Sequence, residues 1–121
     1  MSIKAALYDL MNNVETDVYP VIAPAEQSDP YAVYNWSREL IRGQDGISTY
    51  EVTLTVEIFA KDPSDCLDLA AIIEGNMEAA TGTYQSTTIL VSNLVSESET
   101  EYMGDMDKYG ITQTYQLFID N

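Results

Sequence analysis

Hydrophobic and polar residues alternate with a period of two through residues 47–60. Tyr50, Val52, Leu54, Val56 and Ile58 form one apolar row, and Thr49, Glu51, Thr53, Thr55 and Glu57 lie between them. Successive side chains of a strand point to opposite faces, so this pattern predicts a strand with one face buried. The stretch is about twice the usual five or six residues. The same period runs from Tyr31, with Tyr31, Val33 and Asn35 on one side and Ala32, Tyr34, Trp36 and Arg38 on the other. Gly43-Gln44-Asp45-Gly46 predicts the turn between the two strands. Two more strands are predicted at about Thr87–Ser96 and Tyr109–Asp120, joined by an acidic tip with Gly104 for its turn.

Helical periodicity occurs twice. Ile3, Leu7, Leu10, Met11 and Val14 recur on one helical face, with Ser2 placed to cap. Asp62-Pro63-Ser64-Asp65 is a helix start: an N-cap aspartate, a proline at the first helical position and a carboxylate near the positive end of the dipole. The helix should run to about Ala80, burying Cys66, Leu69, Ala70, Ile73 and Met77, and Gly82 can end it. Two hairpins flanking a helix predict an α+β fold: a mainly antiparallel sheet of about four strands with two helices packed on one face. Residues 1–121 read as a single domain, with no internal repeat and no linker.

Between the first helix and the first long strand lies a proline-rich stretch. Pro20, Pro24 and Pro30 fall between Val18 and Trp36, and each keeps the residue before it out of helix. This segment predicts a stiff extended arm that feeds the strand at Tyr31.

Charge narrows the range of partners. Five Lys and Arg against 20 Asp and Glu give a formal charge of −15. So acidic a chain lacks the cations that displace counterions from duplex DNA or hold an anionic bilayer. Its acidity suits a surface that DNA slides past or that a basic partner seeks. A single cysteine, Cys66, excludes an intrachain disulfide and fits a reducing compartment. The first residues lack the apolar run of a signal peptide, and Leu69–Ile73 is too short to span a bilayer. The expectation is a soluble chain made in a cytoplasm.

Candidate chemistry is sparse. There is no histidine, which removes the commonest general base and metal ligand. Cys66 reads as a small core residue. Asp62, Asp65 and Asp68 read as cap, dipole partner and solvated charge. The acidic tip lacks the spacing of a calcium loop. No catalytic, metal or cofactor residue is assigned, and the expectation is a protein that is not an enzyme. The nine tyrosines suggest contacts instead. Tyr31, Tyr84, Tyr102 and Tyr109 stand at element ends, where tyrosine serves packing or partners equally well.

The arm and first strand resemble those of the tail-terminator family of long-tailed bacteriophages, also called tail completion or tail-to-head joining proteins. That family has a short N-terminal helix, a Y-P segment, an A-P step and a strand opening P-Y-x-V-Y. Here these are Tyr19-Pro20, Ala23-Pro24 and Pro30-Tyr31-Ala32-Val33-Tyr34. The long alternating strand and the helix entered through Lys61-Asp62-Pro63 follow in the same order. The resemblance implies a ring, usually a hexamer, at the head-proximal end of the virion tail. Such a ring docks on the tail tube protein, ends tube growth and presents a surface to head connector proteins, while DNA passes through without specific binding. Tyr19, Pro20, Pro24, Pro30, Tyr31, Tyr102, Met103 and Met106 are then candidate oligomer or partner contacts. Glu51, Glu57, Glu97, Glu99, Glu101, Asp105 and Asp107 are candidates for an acidic lumen. The tip Tyr102–Asp107 has no counterpart in the family's pattern. A different class, an acidic inhibitor or DNA mimic that binds a basic nucleic-acid enzyme, also fits the net charge.

Overall fold

The structure is a computed structural model that describes residues 7, 18–20, 30–44, 47–78, 81–84, 87–104 and 107–120. Its elements are β1 (Val18–Pro20), β2 (Tyr31–Gln44), β3 (Ile47–Ala60), α1 (Pro63–Glu78), β4 (Gly82–Tyr84), β5 (Thr87–Glu97), β6 (Glu101–Met103) and β7 (Lys108–Asp120). The strands form one seven-stranded sheet in the order β1-β2-β3-β7-β5-β4, with β6 also pairing β7. Only β1 runs parallel to its neighbour, β2.

These findings correct the expected α+β arrangement of about four strands under two helices. The sheet has seven strands, and α1 is the only complete helix among the described residues. The three additional strands, β1, β4 and β6, have three residues each. Such pieces are too short to show a period and are defined by the edge they pair with. Of the helix predicted over residues 3–14, only Leu7 is described: it is helical and fully buried in the core.

Among the described residues the main core lies on one side of the sheet. On β3, Val52, Leu54, Val56 and Ile58 are fully buried, and Ile111, Tyr115, Leu117 and Ile119 of β7 lie in register beside them. Trp36 and Tyr50 pack at the margin of this cluster. Helix α1 crosses β3, β7 and β5 and buries Cys66, Leu69, Ala70, Ile73 and Met77 against them. Each fully buried Leu, Ile or Met side chain contributes roughly 1.5–3 kcal/mol over leaving it exposed. The helix therefore holds to the sheet through its stripe.

Its start follows the sequence closely. The Ser64 N–H and hydroxyl both donate to Asp62 Oδ1 at 2.9 Å, and the Cys66 N–H reaches the Asp62 carbonyl at 3.2 Å. Pro63 stands where no N–H is needed. The Ser64 bonds hold the Asp62 carboxyl below the ordinary aspartate range.

Among the described residues one polar side chain enters the core. Gln113 is fully buried, in phase with Ile111 and Tyr115. Its amide nitrogen donates to the Ala70 carbonyl of α1 at 3.0 Å and to Glu97 Oε1 at 2.8 Å. Its oxygen accepts from the Tyr115 hydroxyl at 2.8 Å. Burial, with Glu74, Glu97 and Glu78 nearby, raises the Tyr115 phenol well above its usual range, so it stays a neutral donor.

Candidate assembly interface

Three surfaces remain without a covering element among the described residues: the sheet face away from α1, the outer edges of β2 and β5, and the β6–β7 tip.

The open face carries the polar rows of the long strands. Glu39, Glu51 and Phe118 lie in register across β2, β3 and β7, as do Ser37, Thr53 and Gln116, and Val33, Glu57 and Thr112. Thr residues suit strands because their branched side chains fit a pleated surface. Glu39 and Glu51 stand directly opposite each other, an arrangement that is unfavourable for two like charges. Gln116 Nε2 donates to Glu51, which satisfies one of its oxygens. A shallow polar groove of about 260 Å³ lies here, lined by Ser37, Arg38, Glu39, Glu51 and Thr53.

At the far end of this face the surface turns apolar. Tyr31 and Phe59 pack at 5.4 Å between ring centroids, and the Lys108 ammonium sits 4.5 Å above the Tyr31 ring. Gly110 pairs with Phe59 and leaves the space in which Met103 lies: a Cβ there would stand 3.4 Å from the Met103 Cγ and Cε.

The edges differ from each other. Strand β1 covers β2 only at Ala32–Tyr34, and β4 covers β5 only at Thr87–Ile89. Beyond those points neither edge is paired among the described residues. The open run of β5 exposes Leu90, Val91, Leu94 and Val95, the last at 60%. The open run of β2 exposes Leu40 and Ile41. Arg38 also lies on it, with its guanidinium 4.8 Å from the centre of the Tyr50 ring.

At the tip, the Tyr102 hydroxyl donates to Asp107 Oδ1 at 2.6 Å, and the Tyr102 and Tyr109 rings meet edge to face at 5.4 Å. Asp107 takes a left-handed φ of 51° to close this turn. Its carboxylate raises the Tyr102 phenol above the ordinary tyrosine value, because the neutral hydroxyl is the donor.

The structure distributes the predicted contact residues. Tyr19 and Pro20 belong to β1, beside Val33 and Tyr34. Pro24 and Met106 lie outside the described residues. Pro30 is half-buried at the start of β2. Tyr31 is buried at 3% exposure, so its ring belongs to the Phe59 cluster and not to a free surface. Tyr102 is exposed and Met103 half-buried over Gly110.

The described residues of the candidate acidic set lie on different parts of the chain. Glu51 and Glu57 lie on the open face of β3. Glu97 ends β5 and turns to the helix side, where it accepts from Gln113. Glu99 and Glu101 follow along the outer edge, Asp107 closes the tip, and Asp105 lies outside the described residues. These carboxylates do not make the long paired rows that a duplex mimic presents. The features that sequence reasoning missed are the two unequal edges. The run Leu90-Val91 and Leu94-Val95, interrupted by Ser92-Asn93, was the available signal for one of them.

Comparison with solved structures places this architecture. The fold matches a chain described as "Virion of native gene transfer agent (GTA) particle" with a TM-score of 0.76, across 99% of this chain and 96% of that one. Sequence identity is 11%, so the likeness is one of fold. No protein-family model matches the chain. No curated protein matches it either.

Proposed function

We propose that this chain is a structural virion protein that assembles as a ring on the end of a phage-type tail tube. It ends tube growth there and offers the surface to which the head connector joins. The observation that carries the proposal is the end-to-end fold likeness to a component of a gene transfer agent virion. The proline-braced segment and the order of elements, which resemble tail terminators, support the same reading. So does the surface chemistry: ring closure needs two different complementary patches on one protomer, and the β2 and β5 edges are two different patches.

In this reading the open face of the sheet, with Glu39, Glu51 and Glu57 among threonines and serines, turns toward the channel. Phosphate is repelled there and DNA slides through. The role is structural, and no reaction is assigned to it. A hexamer is the proposed ring size, by resemblance to the family.

Deletion of the gene in a particle-producing strain tests the role. The expected result is tails of irregular, mostly excessive length that fail to join heads, restored by supplying the chain in trans. Tails of normal length attached to filled heads would overturn the proposal.

A further inference from the structure

We propose that the outer edge of β2, Asn35–Gln44, pairs antiparallel with the outer edge of β5, Leu90–Glu97, of a second copy of this chain, so that the sheet runs on from copy to copy. The inference deepens the ring reading above and rests on it for closure.

Strand polarity is the first argument. β2, β3, β7 and β5 alternate in direction, so β2 and β5 are antiparallel across the sheet. Copies set side by side with the same orientation bring β5 of one to β2 of the next in antiparallel pairing. The joint then repeats the pairing used inside each copy.

Composition is the second. Natural edges are guarded by lysine, proline, short length, bulges or an inward charge, and β5 carries bulges at Leu90 and Val95. From Leu90 to Glu101 there is no Lys, Arg or Pro, and four apolar residues of this run are exposed. Such a run of exposed apolar residues offers a partner a place to pair. The β2 edge supplies matching chemistry: Arg38 lies on its helix side, followed by Leu40 and Ile41, with Glu39 on the opposite face. The β5 edge leads into Glu97, Glu99 and Glu101. On the helix side, an edge of Arg38, Leu40 and Ile41 thus faces one of Leu94, Val95 and Glu97.

Register is the third. Across one copy, Tyr34, Val56, Gln113 and Glu97 share a row, and Arg38, Val52, Leu117 and Ser92 share another. Arg38 and Glu97 therefore lie on the same helix-side face, four residues apart along the strand. Sliding the neighbour by those four residues, about 13 Å, sets Arg38 beside Glu97 and Leu40–Ile41 along Leu94–Val95. It also matches the two unpaired runs, because β1 and β4 cover opposite ends of their edges. Closed barrels require a stagger of this kind between tilted strands. In this register β1 of the neighbour falls at the rows of β6, so the joint requires one of these three-residue strands to give way.

The test uses Ile41→Lys and Val95→Lys. Both residues are exposed, and each sits at a register shift, so lysine there leaves the fold intact while guarding the edge. Sedimentation at the highest soluble concentration should show the full chain as a closed oligomer. Each variant should be a folded monomer by circular dichroism. An equimolar mixture should give a one-to-one dimer and nothing larger, because only one intact edge of each kind remains. A monomeric unaltered chain overturns the inference. So do variants that assemble like it, or a mixture that stays monomeric. Loss of assembly in only one variant overturns it too, since that indicates a self-paired edge. Rings that survive both substitutions leave the ring reading standing without this joint. Variants that are monomeric yet still cap tails sink the ring reading and leave the joint.

Discussion

Removing the Gln113 side chain is the sharpest test of how the sheet and helix are joined. In Gln113→Leu the Tyr115 hydroxyl loses its acceptor inside the core and the Ala70 carbonyl loses its side-chain donor. An unsatisfied buried polar group costs about 1–3 kcal/mol, and a neutral hydrogen bond adds about 1 kcal/mol. Glu97, being exposed, rehydrates and adds little. The single variant should lose about 2–4 kcal/mol. Tyr115→Phe, which strands only the Gln113 oxygen, should lose about 1–2 kcal/mol. The double variant removes donor and acceptor together and should cost less than the sum, by about 1–2 kcal/mol. Urea unfolding followed by Trp36 fluorescence reads these values. With m near 1–3 kcal/mol/M, a loss of about 3 kcal/mol moves the midpoint by roughly 1–3 M. Measurements belong at low protein concentration, where assembly does not add stability. Additivity within about 0.5 kcal/mol would refute the shared network.

Three further outcomes are expected. Asp62→Ala should lower the melting temperature at neutral pH. Because the folded Asp62 pKa is depressed, its contribution is present above the ordinary aspartate range and is lost as pH falls through the folded value. The gap between variant and unaltered chain should therefore close in acid, and a gap independent of pH would contradict the cap. Tyr102, followed by ring NMR signals, should ionise above free tyrosine, and Asp107→Asn should bring it back down; no change would remove the Tyr102–Asp107 bond. Gly110→Ala should cost under about 0.5 kcal/mol, since only the flexible end of Met103 has to move, whereas Gly110→Val should release β6 and speed amide exchange there. Equal exchange in both would show that Met103 does not depend on that space.

The long strands and the helix start were legible because half-buried strands announce themselves by period, whereas the three-residue strands that complete the sheet show none. The alternation of Tyr50–Ile58 and the Asp62-Pro63 start placed β3 and α1 to within a residue or two. The β5 surface was not legible, for a physical reason. Register shifts at Leu90 and Val95 each insert a residue, so between them Ser92 and Leu94 lie in helix-side rows where simple alternation from Ile89 would turn them outward. The second shift restores the phase, so Glu97 lies on the helix side with Ile89, away from Glu51 and Glu57. The acidic residues that looked like one lumen in the sequence are therefore divided between a face, an edge and a tip. Gln113 was legible in principle: a glutamine in phase with Ile111, Tyr115 and Leu117 marks a polar group that must be satisfied inside. Tyr31 looked like a contact residue because it opens a strand, but it is buried, with its ring against Phe59 and under Lys108.

The account as a whole turns on where the chain sits in the particle. Cryo-electron microscopy of intact particles carrying an affinity label on this chain should find it as one closed ring between tail tube and head, its open sheet face lining the channel. Label spread along the tube, on the capsid or missing from the particle would contradict it.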